Sequence, residues 1–218
     1  MTNLATLAPP SWAIPVQPRP AAVEQHRIRI RTQWWHDAIT TRGLPGKPPD
    51  GADLTRAQVW SAADEDVFTL LWRALAWGSG SYLRDNARRL DGVRADLAHA
   101  EKVLGAAAET ARHDPGAAYG LLRPGPYNAI RSLGPAFFTK FLYFAGGGAP
   151  DHPCLILDRV VATALRDHAG WTSLYCTRPW PAQTYQRYCD LLARWGRQHH
   201  RAADEFERAL FAGPLPRA

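Results

Sequence analysis

An amine at Lys140 and a carboxylate at Asp158 carry the most chemistry this chain offers, inside the stretch RSLGPAFFTKFLYFAGGGAPDHPCLILDRVVATALR from Arg131 to Arg166. Lys140 is the single charged residue of a run that also holds Phe137, Phe138, Phe141, Leu142, Tyr143 and Phe144. An apolar setting disfavours the charged form of an amine, and the free amine is the form that attacks carbon. Asp158 directly precedes the helical pattern RVVATALRDH and so stands at an N-cap, where aspartate contributes ~1 kcal/mol by accepting backbone N–H bonds. Taken singly, each has an ordinary reading: a lysine whose stem covers apolar surface, and an aspartate that only caps a helix. Taken together they supply a nucleophile and a group that can take its proton or balance a developing positive charge.

The elements that must position this pair are legible in the pattern. Leu133-Gly134-Pro135 reads as a tight turn followed by a helix start, because glycine lets the backbone bend and proline at a first helical position loses no hydrogen bond. The helix then runs from Ala136 to about Ala145. Its first turn offers free backbone N–H groups, so a phosphate could dock at Leu133, Gly134, Pro135 and Ala136 without any cationic side chain. Gly146-Gly147-Gly148 ends the helix, a proline-containing loop follows, and Leu155-Ile156-Leu157 leads into Asp158.

Elsewhere apolar residues recur at three and four, which predicts helices at about 54–60, 64–77, 81–91, 93–113, 115–122, 126–132, 182–197 and 201–212. Strand signals are nearly absent and no internal repeat occurs. Residues 1–20 hold five prolines without periodicity and read as a flexible arm. Residues 21–60 read as a helical extension in which 21–40 could form one helix with Trp34-Trp35 against the body, and 44–51 is a loop. Residues 61–218 form the main domain. The expected class is mainly α, with two helical lobes around a cleft.

Composition narrows the function. With 218 residues, 46% of them hydrophobic, the chain can bury one substantial core. There is no apolar run of membrane-spanning length and no charged-then-apolar leader, so the expected setting is the cytoplasm, without a membrane. Cys154, Cys176 and Cys189 show no CxxC spacing and cannot make a four-thiolate cluster. The net charge of +6 is unevenly spread: residues 120–218 carry 12 Lys/Arg against 7 Asp/Glu, whereas residues 1–119 carry 14 against 13. The excess lies in the half that holds the turn and suits a polyanionic partner. His199-His200 with Asp204 makes a poor metal set, because adjacent histidines on a helix point apart. No phosphate-binding GxxxxGK[ST] and no GxSxG occurs.

A Gly-Pro hairpin turn, a helix carrying lysine, a short loop and an Asp-capped helix together resemble the helix-hairpin-helix DNA glycosylases, particularly their 8-oxoguanine branch. Further likeness lies in TLLWRALAWGSG from Thr69 to Gly80, which is similar to a glycine-containing helix end beside the base pocket. YQRYCDLLARW from Tyr185 to Trp195 and EFERALF from Glu205 to Phe211 are similar to the closing helices. The resemblance covers roughly residues 65–212 and nothing before about 55. It implies Lys140 and Asp158 as the catalytic pair, a base pocket of Trp77, Gly78, Ser79 and Phe211, and a DNA-gripping turn at Leu133–Ala136. It further implies double-stranded DNA with a damaged or modified base as partner, a monomer, no metal and no cofactor.

One departure stands out. The common hairpin places its lysine where Ala136 stands here, and Lys140 lies one helical turn later, on the same face. An archaeal branch with an FxxKxxxY setting is similar. Three outcomes stay open at this level: a glycosylase with or without lyase activity on oxidised guanine, the same pair acting on another modified base, and a DNA-binding protein without chemistry.

Overall fold

The computed structural model describes residues 2–177 and 179–214. In chain order the elements are β1 (Arg27–Arg29), α1 (Thr32–Thr41), β2 (Asp53–Thr55), α2 (Arg56–Trp60), α3 (Val67–Ser79), α4 (Asn86–Arg94) and α5 (Leu97–Thr110). They continue through α6 (Pro115–Leu122), α7 (Pro135–Phe144), α8 (Arg159–His168), α9 (Ala182–His199) and α10 (Ala203–Ala212). The fold is mainly α, as the apolar periodicity requires. Short polar side chains set half of the α-helix starts. Asp66 accepts from Phe68 and Thr69 N–H, Asp96 from His99, and Asp114 from Ala117 with Pro115 in the first turn. Thr55 and Gln58 form a reciprocal capping box at α2. Each cap satisfies donors that the first helical turn would otherwise leave bare.

Two packed layers position the site. α3 lies against α7, and α10 packs on α8 and α9, while α6 joins α5 to α9. One contiguous apolar cluster, including Trp35, Trp72, Phe138, Phe141, Trp195 and Leu210, runs through all of them. The expected cleft is a pocket where the C-terminal end of α3, α7 and α10 meet.

The N-terminal third differs most from its sequence reading. Residues 2–20 are not a free arm: Arg194 donates to the carbonyls of Leu4 at 2.7 Å, Ala5 at 2.8 Å and Leu7 at 2.7 Å, and Trp195 donates to Leu7 at 2.8 Å. A proline-rich segment cannot pair in a ladder, but its carbonyls remain acceptors for side chains. Residues 21–40 are not one helix. The alternation Arg27-Ile28-Arg29-Ile30 is a period-two signal, and this segment pairs antiparallel with Asp53–Thr55 in the register Arg27↔Thr55, Ile28↔Leu54, Arg29↔Asp53. No break in the core marks position 60: Arg56 of α2 is fully buried against Glu207 of α10. Residues 126–132 form turns rather than a helix, because Pro124 and Pro126 interrupt the backbone bonding.

Candidate active site

Lysine on a helix points its side chain back toward the N-terminus. Lys140 does so: its Nζ donates to the Ala136 carbonyl at 2.8 Å and lies 3.4 Å from Asp158 Oδ2. The amine is thereby brought back to the turn where the commoner hairpin lysine would start. Lys140 is buried, with 6% exposure, and the Asp158 side chain keeps 14%. Asp158 divides its two oxygens between two tasks. Oδ1 caps α8 by accepting from Val160 N–H at 3.0 Å and Val161 N–H at 3.2 Å, which leaves Oδ2 for Lys140. The cap holds the carboxylate in place for the second contact.

The segment before Asp158 is extended and buried yet belongs to no sheet, so its backbone groups need other partners. Side chains supply them. Tyr185 Oη accepts from Leu155 N–H at 3.2 Å and donates to the same residue's carbonyl at 2.8 Å, and Tyr188 Oη donates to Ile156 at 2.7 Å. Thr139, next to Lys140, accepts from Leu157 N–H at 3.2 Å and shares its proton between the carbonyls of Pro135 at 2.8 Å and Leu157 at 3.2 Å. Thr139 therefore ties the helix that carries the amine to the chain that carries the carboxylate.

Gly78 makes room for the lysine stem. A Cβ at this position would lie 2.6 Å from Lys140 Cδ and 3.1 Å from Cε, closer than real contacts allow. Next to it Ser79 Oγ donates to Asn86 Oδ1 at 3.0 Å, so its hydroxyl proton is already engaged. Trp77 is fixed on several sides: His26 meets it edge-on at 5.2 Å, Phe144 at 5.4 Å, and the Arg56 guanidinium lies 5.1 Å from its ring centre.

These residues surround one cavity of about 400 Å³. Trp77, Gly78, Ser79, Lys140, Asp158 and Phe211, all singled out from sequence, line it together. The model of a protein family described as "Putative 8-oxoguanine DNA glycosylase OGG-like protein" matches residues 21–211. The chain belongs to this family. No curated protein and no solved structure matches the chain.

The OGG-like match begins at residue 21, not near 65, and the structure gives the physical reason. Ile28 and Arg29 of the β1 strand form one wall of the cavity, so the N-terminal segment is part of the site. Glu207 is a second residue that sequence reasoning missed. It lines the cavity, yet it is fully buried and bonded by Arg56 at 2.6 and 3.2 Å. Burial pushes the Glu207 carboxyl upward while Arg56 pulls it down. Burial also opposes the Arg56 charge, but Glu207 and then Tyr143 more than offset it and raise the guanidinium's pKa. The two-pronged contact fixes the orientation of both groups. The i, i+4 spacing of Glu207 and Phe211 on α10 was the available signal.

His26, behind Trp77, is held neutral. Burial, then the charges of Arg56 and Arg208, push its pKa down to about 3. Leu133 is 2% exposed and belongs to the core, whereas Gly134, Pro135 and Ala136 border a second cavity of about 340 Å³. Burial raises Cys154 to about 12 and Cys189 well above the usual thiol range, so neither is an activated nucleophile.

Proposed function

We propose that this OGG-like protein is a DNA N-glycosylase that excises an oxidised guanine such as 8-oxoguanine from duplex DNA, with Lys140 as nucleophile and Asp158 as its partner. The observation that carries this reading is the meeting of the Lys140 amine and Asp158 Oδ2 at 3.4 Å inside a cavity walled by Trp77 and Phe211. A glycosidic carbon cannot be reached inside a stacked duplex, so the nucleotide must turn out into such a pocket. The base then lies near Trp77 and Phe211 with its sugar over Lys140.

In the chemical step the Nζ lone pair forms a bond to C1′ as the C1′–N bond breaks, its electron pair leaving with the base, which picks up a proton from water. Asp158 takes a proton from the attacking nitrogen and balances positive charge on the sugar. A carboxylate so placed contributes ~3 kcal/mol, as comparable electrostatic stabilisers do. The nitrogen lone pair then forms a C1′=N bond as the C1′–O4′ bond breaks, and O4′ takes the proton that Asp158 had accepted, which leaves a protonated Schiff base. The Asp158 carboxylate next takes a C2′ proton, the C–H electron pair forms a C2′=C3′ bond, and the 3′ C–O bond breaks with its electrons leaving on the phosphate, which is the lyase activity. One protomer acting on one flipped base suffices.

The test is single-turnover excision from duplexes holding 8-oxoguanine, a bulky modified cytosine or undamaged guanine, with the wild type and Asp158→Asn. Release of 8-oxoguanine that fails in the variant while duplex binding persists is the expected result. Binding without release of any base would leave a DNA-binding protein in place of an enzyme.

A further inference from the structure

The cavity that holds Lys140 has a buried floor and an exposed rim. Trp77, Lys140, Ile156 and Glu207 are buried, whereas Arg29, Ser81 and Tyr82 are the exposed members of its lining. Whatever enters the cavity passes these three. Tyr82 is 83% exposed, and its side chain, like that of Arg29, makes no hydrogen bond, ion pair or ring contact among the described residues. A lone exposed aromatic is ordinary on a protein surface. Tyr82 differs from the similarly exposed Tyr127 in standing at the entrance of a cavity, beside a free cation.

The backbone holds both side chains at that entrance. β1 alternates, so Arg27 and Arg29 face solvent on one side while Ile28 turns to the other. Arg29 lies opposite Asp53 in the register, but the ion pair of Asp53, at 4.0 Å, is with Arg27, which leaves the Arg29 guanidinium free. Tyr82 follows α3 in a turn where its N–H donates to the Ser79 carbonyl at 3.1 Å. Gly80, at φ 58°, lets this turn close on β1: a Cβ there would lie 3.2 Å from Ile28 Cγ2 and 3.6 Å from the Arg29 carbonyl. The turn Gly134-Pro135-Ala136 borders a different cavity, so the rim is separate from it.

We propose that Tyr82 and Arg29 form a clamp for unpaired DNA, so that the protein takes a base from a single strand as readily as from a duplex. This rests on the proposed function in placing the target base in the cavity. With that base inside, its neighbour on the strand lies at the rim, where the Tyr82 ring offers a face to stack on and Arg29 a cation for the intervening phosphate. Every base has such a face, so neither sequence nor a complementary strand is required. A duplex keeps the neighbour inside the helical stack and must also be unpaired to release the target, and a single strand is spared that cost.

The test is the affinity of an undamaged single-stranded oligonucleotide and of its duplex for the wild type, Tyr82→Ala, Tyr82→Phe and Arg29→Ser. Both positions are exposed, so melting temperatures should not change. The wild type should bind the single strand at least as tightly as the duplex. Tyr82→Ala and Arg29→Ser should each lower single-strand affinity about 10-fold while duplex affinity stays within about threefold. Tyr82→Phe keeps the ring and should match the wild type, and Arg29→Ser should reduce the single-strand salt slope by about 0.7. A wild type that binds the single strand more than about 10-fold more weakly than the duplex, or single-strand affinity unchanged in both variants, overturns the proposal. Equal losses on single strand and duplex in Tyr82→Ala would make Tyr82 a probe of the duplex stack and overturn it as well. Tighter binding of an RNA strand of the same sequence would overturn the DNA assignment. A second arm reads excision: release of 8-oxoguanine from the single strand should match that from the duplex within about threefold and fall about 10-fold in Tyr82→Ala, and release confined to the duplex overturns the proposal. Release from neither strand counts against the proposed function and leaves the binding arm, which uses undamaged strands, to decide on the clamp.

Discussion

Gly78→Ala separates the position of the Lys140 amine from the stability of the fold. The added Cβ would lie 2.6 Å from Lys140 Cδ and 3.1 Å from Cε, while ordinary contact begins at 3.4 Å. Restoring contact therefore moves the lysine stem by about 1 Å. A lysine stem can move that far at little cost, because its torsions are soft and the cavity of about 400 Å³ lies beside it. Alanine in a helix is itself ~0.5–1 kcal/mol more stable than glycine, so the melting temperature should hold or rise slightly. A misplacement of ~1 Å at the reacting atom costs on the order of 100-fold in rate, equivalent to ~2.7 kcal/mol of barrier. Single-turnover excision, thermal unfolding and duplex binding read the three quantities separately. Gly105→Ala is the control, since a Cβ there meets nothing within 4 Å. Excision by Gly78→Ala within threefold of the wild type, or a rate that falls only in step with a lost melting temperature, would show that Gly78 does not position the Lys140 amine.

Three further perturbations test the supports of the site. Asp158→Asn keeps an oxygen for the cap but loses the carboxylate facing Lys140, so excision should fall by at least ~100-fold with little change in melting, whereas Asp158→Ala should also lose ~1 kcal/mol of stability; calorimetry beside a single-turnover assay distinguishes them. Thr139→Val removes the bonds to Leu157 that join the amine's helix to the chain before Asp158, and should cost ~1–3 kcal/mol in chemical denaturation and lower the rate more than the duplex affinity. His26, held down to about 3 against an ordinary 6.5, binds its proton more readily when unfolded, so stability is full above pH 6.5 and is lost as pH falls toward 3; melting temperatures across that range should decline less steeply in His26→Phe.

The helices and the meeting of Lys140 with Asp158 were legible because their signals are local. Periodicity and Asp caps give α3 to α10 to within a few residues, and the Gly-Pro turn gives the start of α7. Lys140 and Asp158 both carry local signals, an isolated charge in an aromatic run and a residue at a cap. The N-terminal third was not legible for the opposite reason. Residues 2–20 have no periodicity and are held by side chains from α9, nearly the whole chain away. The alternation at Arg27–Ile30 is only four residues long and is swamped by the helical pattern around it. Glu207 looks like an ordinary charged helix residue in sequence. Its meaning lies in burial and in a partner 151 positions away. Gly78 reads as a helix end, and only the path of Lys140 past it explains why no side chain can stand there.

Borohydride trapping on an 8-oxoguanine:cytosine duplex reads the proposed bond between Lys140 and the sugar itself. The chain has three lysines, and the other two, Lys47 and Lys102, are partly or largely exposed and outside the cavity. The expected result is a covalent protein–DNA complex with the wild type, mapped to Lys140 and absent in Lys140→Gln although that variant still binds the duplex. A complex that persists undiminished in Lys140→Gln would contradict the assignment of Lys140 as nucleophile.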